Sequence, residues 1–379
     1  MLCDTSARYV RAGTIGILFA LCAGLPGCGA QDNPLLGLLD TGEPVVAGVV
    51  ETSEAGDQWA SAQRVQLPAD GGISIGGTIQ SADDVDVYDL GALAQGDRII
   101  IETDQRNGLD AAMGLFDDRG MLLMVNDDRV SGLGQYEPYI NHVLREDVSR
   151  CYLAIASTPD RSTAGAYTMT IQREPDERVP APERQAVLLD FDGASGVRIG
   201  SRSPLDVPAF NAADIDPGYA GQTAAMIDVI EARVIEEYAD YDIDFYSTAD
   251  GDNPSGEVTR IFFGSYNASL LGLADRVDYY NGHQVEECIV FTDTFELFMS
   301  LDPTVEEMGT AIANVATHEL GHLLGLNHTR DDTEVMDITA SAREMLIDQT
   351  LHTADLHEGV FPIGQQDPEM LLLLALGWR

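Results

Sequence analysis

The sequence contains no lysine, so its 21 basic residues are all arginines, and they stand against 63 acidic residues. The formal net charge of −42 makes the surface repel phosphate backbones, which argues against nucleic acid as a partner. We interpret the excess as a well-solvated acidic surface. The same composition is compatible with bound calcium, so Ca²⁺ stays a second candidate cofactor beside any transition metal.

Cysteine is also scarce. Of the five cysteines, Cys3, Cys22 and Cys28 lie in an N-terminal segment that we expect to be processed. Cys151 and Cys288 are far apart, and neither belongs to a CxxC pair. This pattern argues against a disulfide framework and against a cysteine-based zinc site. It favours two separate buried thiols over a bridge between domains.

No apolar run is long enough to span a membrane, which takes about 20 residues. The apolar stretch of residues 12–25 follows two arginines and predicts a signal peptide of residues 1–27. It ends in Leu25-Pro26-Gly27-Cys28, which resembles the lipobox of bacterial lipoproteins. That resemblance implies lipidation of Cys28, export to the bacterial cell envelope and attachment to a membrane by lipid alone. The alternative is an ordinary cleaved signal and a secreted protein.

Changes in composition divide the rest of the chain into four segments. Residues 28–60 are poor in aromatics and predict a flexible tether. Residues 61–172 alternate apolar and polar side chains between Gly- and Asp-rich turns, which is typical of an all-β sandwich. Residues 173–184 contain three prolines and predict a linker. Residues 185–379 mix strand and helix patterns and predict an α/β domain that works without the sandwich.

The β-sandwich segment resembles the bacterial pre-peptidase C-terminal domain, which accompanies secreted peptidases. The resemblance implies an accessory role in secretion or binding. Here the segment precedes the α/β domain, which leaves its role open. The resembling motifs are Asp83-Asp84-Val85-Asp86-Val87-Tyr88, Gly96-Asp97, Asn126-Asp127-Asp128 and Gly165-Ala166-Tyr167.

The α/β domain carries a cluster of histidines on a predicted helix that begins near Thr304, where a capping-box pattern stands. Residues four apart on a helix differ by about 40° in direction, so His318 and His322 share one face and can bind one zinc ion. Glu319 lies about 100° round the helix from His318. It can therefore act as a general base on a water molecule without being a ligand.

His328 cannot reach the same ion from a straight helix, because ten residues would carry it about 15 Å along the axis. Gly325 can end the helix and turn the chain back, because glycine adopts the left-handed conformation of a helix end at low cost. Three histidines leave the fourth position of a tetrahedral zinc ion open, which is the arrangement of a catalytic site.

These residues spell HExxHxxGxxH, the signature of the metzincin metallopeptidases. The resemblance implies a methionine turn beneath the metal, for which Met336 is the candidate, and Thr329 is similar to the Ser or Thr of matrixins. Ile338 stands where astacins and serralysins have tyrosine, and the upstream structural-zinc pattern of matrixins is not recognisable. The chain is thus similar to a divergent, bacterial matrixin-like zinc endopeptidase that cleaves extracytoplasmic proteins or peptides.

A surface-anchored binding or adhesion protein with a vestigial zinc site is the alternative function. Loss of Glu319 or of a triad histidine would favour it, and none is lost. His352 and His357 are five residues apart, about 140° on a helix, and do not predict a second metal site. We expect His283 to be exposed. The acidic turns at 126–128 and 250–253 do not match an EF-hand calcium loop.

Overall fold

The computed structural model describes residues 47–50, 55–105, 108–129, 135–159 and 161–379. The predicted signal peptide, Cys28 and most of the predicted tether lie outside the described residues. Within the tether segment, Ala47–Val50 forms a strand, β1, that pairs in parallel with residues 73–76. The first sheet therefore begins inside the segment that the sequence predicts as a tether, because residues 47–50 pair with the edge of the strand that contains residues 73–76.

Two five-stranded sheets follow from the alternating segments. After β1, the strands are β2 (Gln63–Arg64), β3 (Gly71–Ile79), β4 (Val85–Leu93), β5 (Arg98–Gln105), β6 (Ala111–Phe116), β7 (Leu122–Asn126), β8 (Tyr139–Val143), β9 (Val148–Ser157) and β10 (Gly165–Glu174). The sheet orders are β1-β3-β10-β5-β8 and β2-β4-β9-β6-β7.

The two sheets pack face to face around one apolar core. Ile75 of β3 and Ile101 of β5 come from one sheet, and Met113 of β6 and Leu153 of β9 come from the other; all four are fully buried. Alternation along each strand places these side chains on the inner face. The predicted all-β sandwich is confirmed.

The second half of the chain is an α/β region. Its elements are β11 (Gln185–Asp190), β12 (Ala194–Val197), β13 (Leu205–Val207), α1 (Ala212–Ile215), α2 (Thr223–Glu237), β14 (Ile243–Ser247), β15 (Thr259–Phe263), β16 (Gly272–Ala274), β17 (Glu287–Val290), α3 (Val305–Leu323), α4 (Ala342–Met345), β18 (Ala354–Asp355), β19 (Gln365–Gln366) and α5 (Pro368–Leu376). The main sheet has the order β14-β11-β15-β17-β16, and its pairings are parallel except that between β16 and β17. The predicted α/β fold is confirmed.

Helix α3 crosses the core of this region. It starts at the predicted capping box, in which the Thr304 hydroxyl accepts from the Glu307 amide and the Glu307 carboxylate accepts from the Thr304 amide. Every residue of α3 from Met308 onward is buried. Gly309 lets α2 approach closely, because a Cβ there would lie 2.8 Å from the Val229 side chain. Within the described ranges, no helix is both long and apolar enough to cross a membrane.

The sandwich and the α/β region share an apolar contact surface. Phe116 of β6 meets Phe361 with their ring centroids 5.6 Å apart, and Leu356 joins the same buried cluster. A backbone bridge also pairs Met121 with Gln365. The two halves are therefore packed together, although the sequence predicts that a linker separates them.

The two described cysteines are both buried and unbridged. Cys151 lies in the sandwich core and Cys288 in the core of the α/β region. Burial raises the pKa of the Cys151 thiol to about 12. The prediction of two separate buried thiols is confirmed.

Candidate metal centre

Helix α3 ends in a turn built around Gly325. The amide of Gly325 donates to the carbonyl of His322 at 3.0 Å, and the amide of Leu326 donates to the carbonyl of Gly321 at 2.8 Å. This pair of bonds is a Schellman motif, which requires a left-handed residue, and Gly325 has φ +99°. The chain therefore reverses where the sequence predicts, and His328 returns toward the helix.

The three histidines converge. The metal-binding atoms that His318, His322 and His328 offer all lie within 4.8 Å of one another. The Nε2 atoms of His322 and His328 are 3.0 Å apart, and the ring centroids of His318 lie 4.8 and 5.2 Å from those of His322 and His328. The structure thus brings the three predicted ligands together. The sequence spacing alone does not define the path of the chain between Gly325 and His328.

Backbone carbonyls set the tautomers of two of these rings. Nδ1 of His318 is 2.8 Å from the carbonyl oxygen of Val335, and Nδ1 of His322 is 2.8 Å from that of Leu326. A carbonyl only accepts, so both Nδ1 atoms carry the proton and both Nε2 atoms keep a lone pair. Nitrogen lone pairs aimed at one point fit a borderline divalent cation, and carbonyl-oriented histidines are the usual arrangement around zinc.

Burial keeps these imidazoles neutral. It lowers the pKa of His318 to about 3 and that of His322 to about 4. The pKa of His328 falls well below its ordinary value, because burial is joined by the neighbouring histidines. Neutral imidazole is the form that binds a metal, so the rings hold their binding-competent state at neutral pH without competition from protons.

Met336, the methionine that the resemblance implies, packs against Gly321 of α3. Its side chain is fully buried, and a Cβ on Gly321 would lie 2.5 Å from its sulfur atom. The glycine between the two helical histidines therefore makes room for the methionine. Val335 directly precedes Met336, and the Val335 carbonyl orients the His318 ring. The methionine turn therefore positions His318 as well as Met336.

Glu334 links the methionine turn to the segment that follows His328. The sequence analysis did not identify this residue. Its fully buried carboxylate accepts from the Thr329 hydroxyl and, at 2.8 Å, from the Met336 amide. Burial raises its pKa to about 8. Because Thr329 directly follows His328, Glu334 connects the segment that carries this histidine to the methionine turn through two hydrogen bonds. No sequence signal marks it, because Glu334 stands in the acidic segment Asp331-Asp332-Thr333-Glu334.

Glu319 is buried beside the edge strand of the sheet. A Cβ on Gly272 of β16 would lie 2.3 Å from Oε1 of Glu319, so the carboxylate rests against bare backbone at that position. Among the described residues, the metal-binding group of the three histidines does not include Glu319, which agrees with a base that is not a ligand. Sequence reasoning did not identify Gly272, because nothing local links it to a residue in α3.

The loop between β16 and β17, residues 275–286, is named here the junction loop. Its Asp278 amide donates to the His322 carbonyl at 2.9 Å, and its Tyr279 hydroxyl donates to the Asn327 side chain at 3.0 Å. A Cβ on Gly325 would lie 3.0 Å from the loop backbone at three atoms. Gly325 is thus required twice, for its left-handed conformation and for this close approach.

The remaining histidines lie elsewhere. His352 is 3.5 Å from Asp331, and the amide of His357 donates to the carbonyl of His328. Neither belongs to a metal-binding group among the described residues, and the acidic turns at 126–128 and 250–253 form none there either. His283, expected at the surface, is only about one-third exposed and contacts Asp278 at 3.0 Å.

Comparison with known families agrees with this geometry. Residues 222–358 match the family model of the matrixins, a peptidase family. This segment contains α3, the three histidines and Met336. The match confirms the predicted resemblance of this part of the chain to metallopeptidases of the metzincin type. No curated protein matches the chain.

Solved structures resemble parts of the chain. Archaemetzincin from Methanopyrus kandleri is 18% identical, with a TM-score of 0.26 over 45% of this chain and 89% of that protein. The pre-peptidase C-terminal domain of a collagenase from Bacillus anthracis is 17% identical, with a TM-score of 0.23 over 29% and 93%. A periplasmic inhibitor of g-type lysozyme from Aeromonas hydrophila is 10% identical, with a TM-score of 0.24 over 34% and 98%.

Proposed function

We propose, from the matrixin match of residues 222–358, that this chain is a zinc-dependent endopeptidase that cleaves proteins outside the cytoplasm. The convergence of three neutral histidines beside one buried carboxylate carries the proposal. His318, His322 and His328 would hold the zinc ion. Calcium has no comparable support, because the donor atoms of this centre are nitrogens, whereas calcium takes oxygen ligands.

When bound, zinc lowers the pKa of a coordinated water to about 7 and polarises the scissile carbonyl. The chain's own residues supply the proton transfers. Glu319 accepts a proton from the attacking water and delivers it to the leaving amine. No side chain forms a covalent bond to the substrate in this scheme, and no Ser or Cys nucleophile is required.

The edge strand β16 offers a place for an extended substrate. It is the last strand of the sheet in the described part of the chain, and its Gly272 backbone touches Glu319. A peptide that added a strand along this edge would pass directly in front of the base. We therefore infer that the enzyme binds its substrates in extended form, which favours unfolded or loop segments of proteins.

Location is a separate proposal that rests on the sequence alone. The signal peptide of residues 1–27 and the lipobox-like ending at Cys28 support export and lipid attachment to a bacterial cell envelope. The substrates would then be proteins or peptides of that compartment. The adhesion alternative would be favoured by the loss of Glu319 or of a triad histidine, and the sequence retains all four residues.

Metal reconstitution tests the proposed function. The purified chain is stripped with a chelator and assayed on an unfolded protein, with and without added zinc. Cleavage that disappears on stripping and returns with about one equivalent of zinc at the histidine centre supports the proposal. A chain that binds zinc there but cleaves neither an unfolded protein nor peptides contradicts it.

A further inference from the structure

A second group of metal-binding side chains lies in the junction loop. Asp278, His283 and Glu286 offer ligand atoms that all lie within 4.8 Å of one another. None of them belongs to the histidine centre. We propose that these three residues bind a second divalent ion, of the zinc class, which fixes the junction loop against the end of α3.

Glu286 is the first argument for an ion at this place. Its side chain is only about 1% exposed, and neither of its carboxylate oxygens accepts a hydrogen bond from any described residue. Its one ion pair in the described structure is to Nε of Arg276, 3.2 Å from Oε1. A buried carboxylate needs fuller compensation than one partly exposed arginine supplies. A cation on the other oxygen would provide it.

The surrounding charges strengthen this argument. Burial raises the pKa of Glu286 to about 9, and the carboxylates of Asp278 and Asp275 add to the effect. Without a bound cation, the buried Glu286 carboxylate would face these two carboxylates with Arg276 as its one ion-pair partner among the described residues. A divalent ion would stabilise the ionised forms of Glu286 and Asp278 together.

Asp278 and His283 are arranged as a preformed pair. The Asp278 carboxylate is buried and accepts from the His283 amide at 2.8 Å, while Nδ1 of His283 lies 3.0 Å from its other oxygen. This bonding fixes both side chains before any ion arrives. His283 is about 35% exposed, so the site has a path from solvent, which a wholly buried cluster would lack.

The donor atoms decide the class of ion. Two carboxylates and one imidazole suit zinc and similar divalent transition metals, whereas calcium and magnesium prefer oxygen ligands throughout. Three protein ligands leave one position for water. We assign this ion a structural role because Asp278, one of its ligands, also bonds through its amide to the end of α3.

An ion here would stabilise the catalytic centre from outside. The Asp278 amide donates to the His322 carbonyl, and the next two residues press against Gly325. Holding Asp278 in place therefore holds the turn that returns His328 to the centre. The inference goes beyond the proposed function, because it concerns metal that takes no part in peptide cleavage.

Metal content tests the proposal without an activity assay. The full chain is stripped, dialysed against zinc and measured by inductively coupled plasma mass spectrometry, with circular dichroism to check folding. We expect about two zinc equivalents for the wild type, about one for His318→Ala/His322→Ala and about one for His283→Ala/Glu286→Gln. His352→Ala, a matched change of a partly exposed histidine outside both groups, should keep both equivalents.

Two results would overturn the proposal. In the first, the wild type binds a single zinc equivalent and the His318→Ala/His322→Ala variant binds none. In the second, the His283→Ala/Glu286→Gln variant still binds two zinc equivalents. Should the double loop variant fail to fold, His283→Ala is introduced into the His318→Ala/His322→Ala background and titrated with zinc. Weaker binding supports the loop site, and unchanged binding contradicts it. Uptake of calcium but not zinc by that background would contradict the proposed ion class. Failure of the peptidase proposal would appear only at the histidine centre, so the two are distinguishable.

Discussion

The hydroxyl of Tyr280 donates a hydrogen bond to the backbone carbonyl of Leu123, 2.9 Å away, and so joins the junction loop to the sandwich. The Tyr280 ring also stacks on His142 at 5.0 Å and lies under the guanidinium of Arg145 at 4.5 Å. Two residues earlier, the same loop bonds to the end of α3. The sandwich therefore contacts the loop that bonds to the end of α3. The expectation that the α/β domain works without the sandwich stays a prediction.

Removing the Tyr280 hydroxyl should destabilise the protein. We expect Tyr280→Phe to lower the free energy of unfolding by about 1–3 kcal/mol, because the buried Leu123 carbonyl loses its partner. Urea unfolding measures the change. Tyr266→Phe is the matched control, since Tyr266 is 52% exposed and its change should stay within about 0.5 kcal/mol. Equal stability of the two variants would show that the loop contact contributes nothing.

His142 should make this junction sensitive to acid. Burial, with Arg145 nearby, lowers its pKa in the folded protein to about 3, below the unfolded value of about 6.5. The unfolded chain therefore takes up the proton first as the pH falls, and stability is lost below pH 6.5. From pH 6.5 to 5, His142 should account for about 2 kcal/mol of that loss.

The check is the unfolding free energy of wild type and His142→Asn across this range. The difference between the two should shrink as the pH falls, because the variant lacks the titrating ring. Parallel curves would mean that His142 has the same pKa in both states. His352→Asn, at a half-exposed position, serves as the control for removing a histidine.

Local patterns in the sequence predicted the parts of the site that depend on short spacing. The capping box at Thr304, the shared face of His318 and His322, and the turn at Gly325 each follow from residues within one or two helical turns. The place of Met336 came from the metzincin resemblance rather than from spacing. The structure contains the capping box and the turn as predicted, because each depends on residues that are close in sequence.

The remaining features depend on contacts between distant parts of the chain. Tyr280 and Leu123 are 157 residues apart, and no local pattern marks either one. Gly272 meets Glu319 only after β16 has paired at the edge of the sheet. Glu334 resembles any acidic loop residue until the fold buries it. Such pairings require the three-dimensional structure, because only the packed sheets and helices define them.

Gly272 should control the position of the catalytic base. A methyl group at this position would lie within 2.3 Å of the Glu319 carboxylate and displace it. We expect Gly272→Ala to bind zinc normally and to lower kcat by about 100-fold, the effect of a displacement of about 1 Å. Gly76→Ala, in a sandwich strand with no crowding below 3.8 Å, is the control. Full activity of the Gly272 variant would contradict the proposal that the Glu319 carboxylate acts from its position against Gly272.

Cys28 should hold the protein on a membrane. Cys28→Ser blocks acylation, and because the acidic body is repelled by anionic headgroups, no second attachment replaces the lipid. In a Gram-negative host the wild type should be found in the membrane fraction and the variant in the soluble fraction. A variant that stays with the membrane, or a soluble wild type whose N-terminus lies elsewhere, would replace the lipid anchor with ordinary secretion.

The central claim is that Glu319 is the general base of a zinc peptidase whose ligands are His318, His322 and His328. The most direct measurement is zinc content and cleavage rate on the same preparation of Glu319→Ala. Because the three ligands remain while the base is lost, the variant should keep zinc at the histidine centre and lose at least about 100-fold in kcat on an unfolded protein substrate. Substantial cleavage by the zinc-loaded variant, under conditions where the wild type is active, would contradict the account.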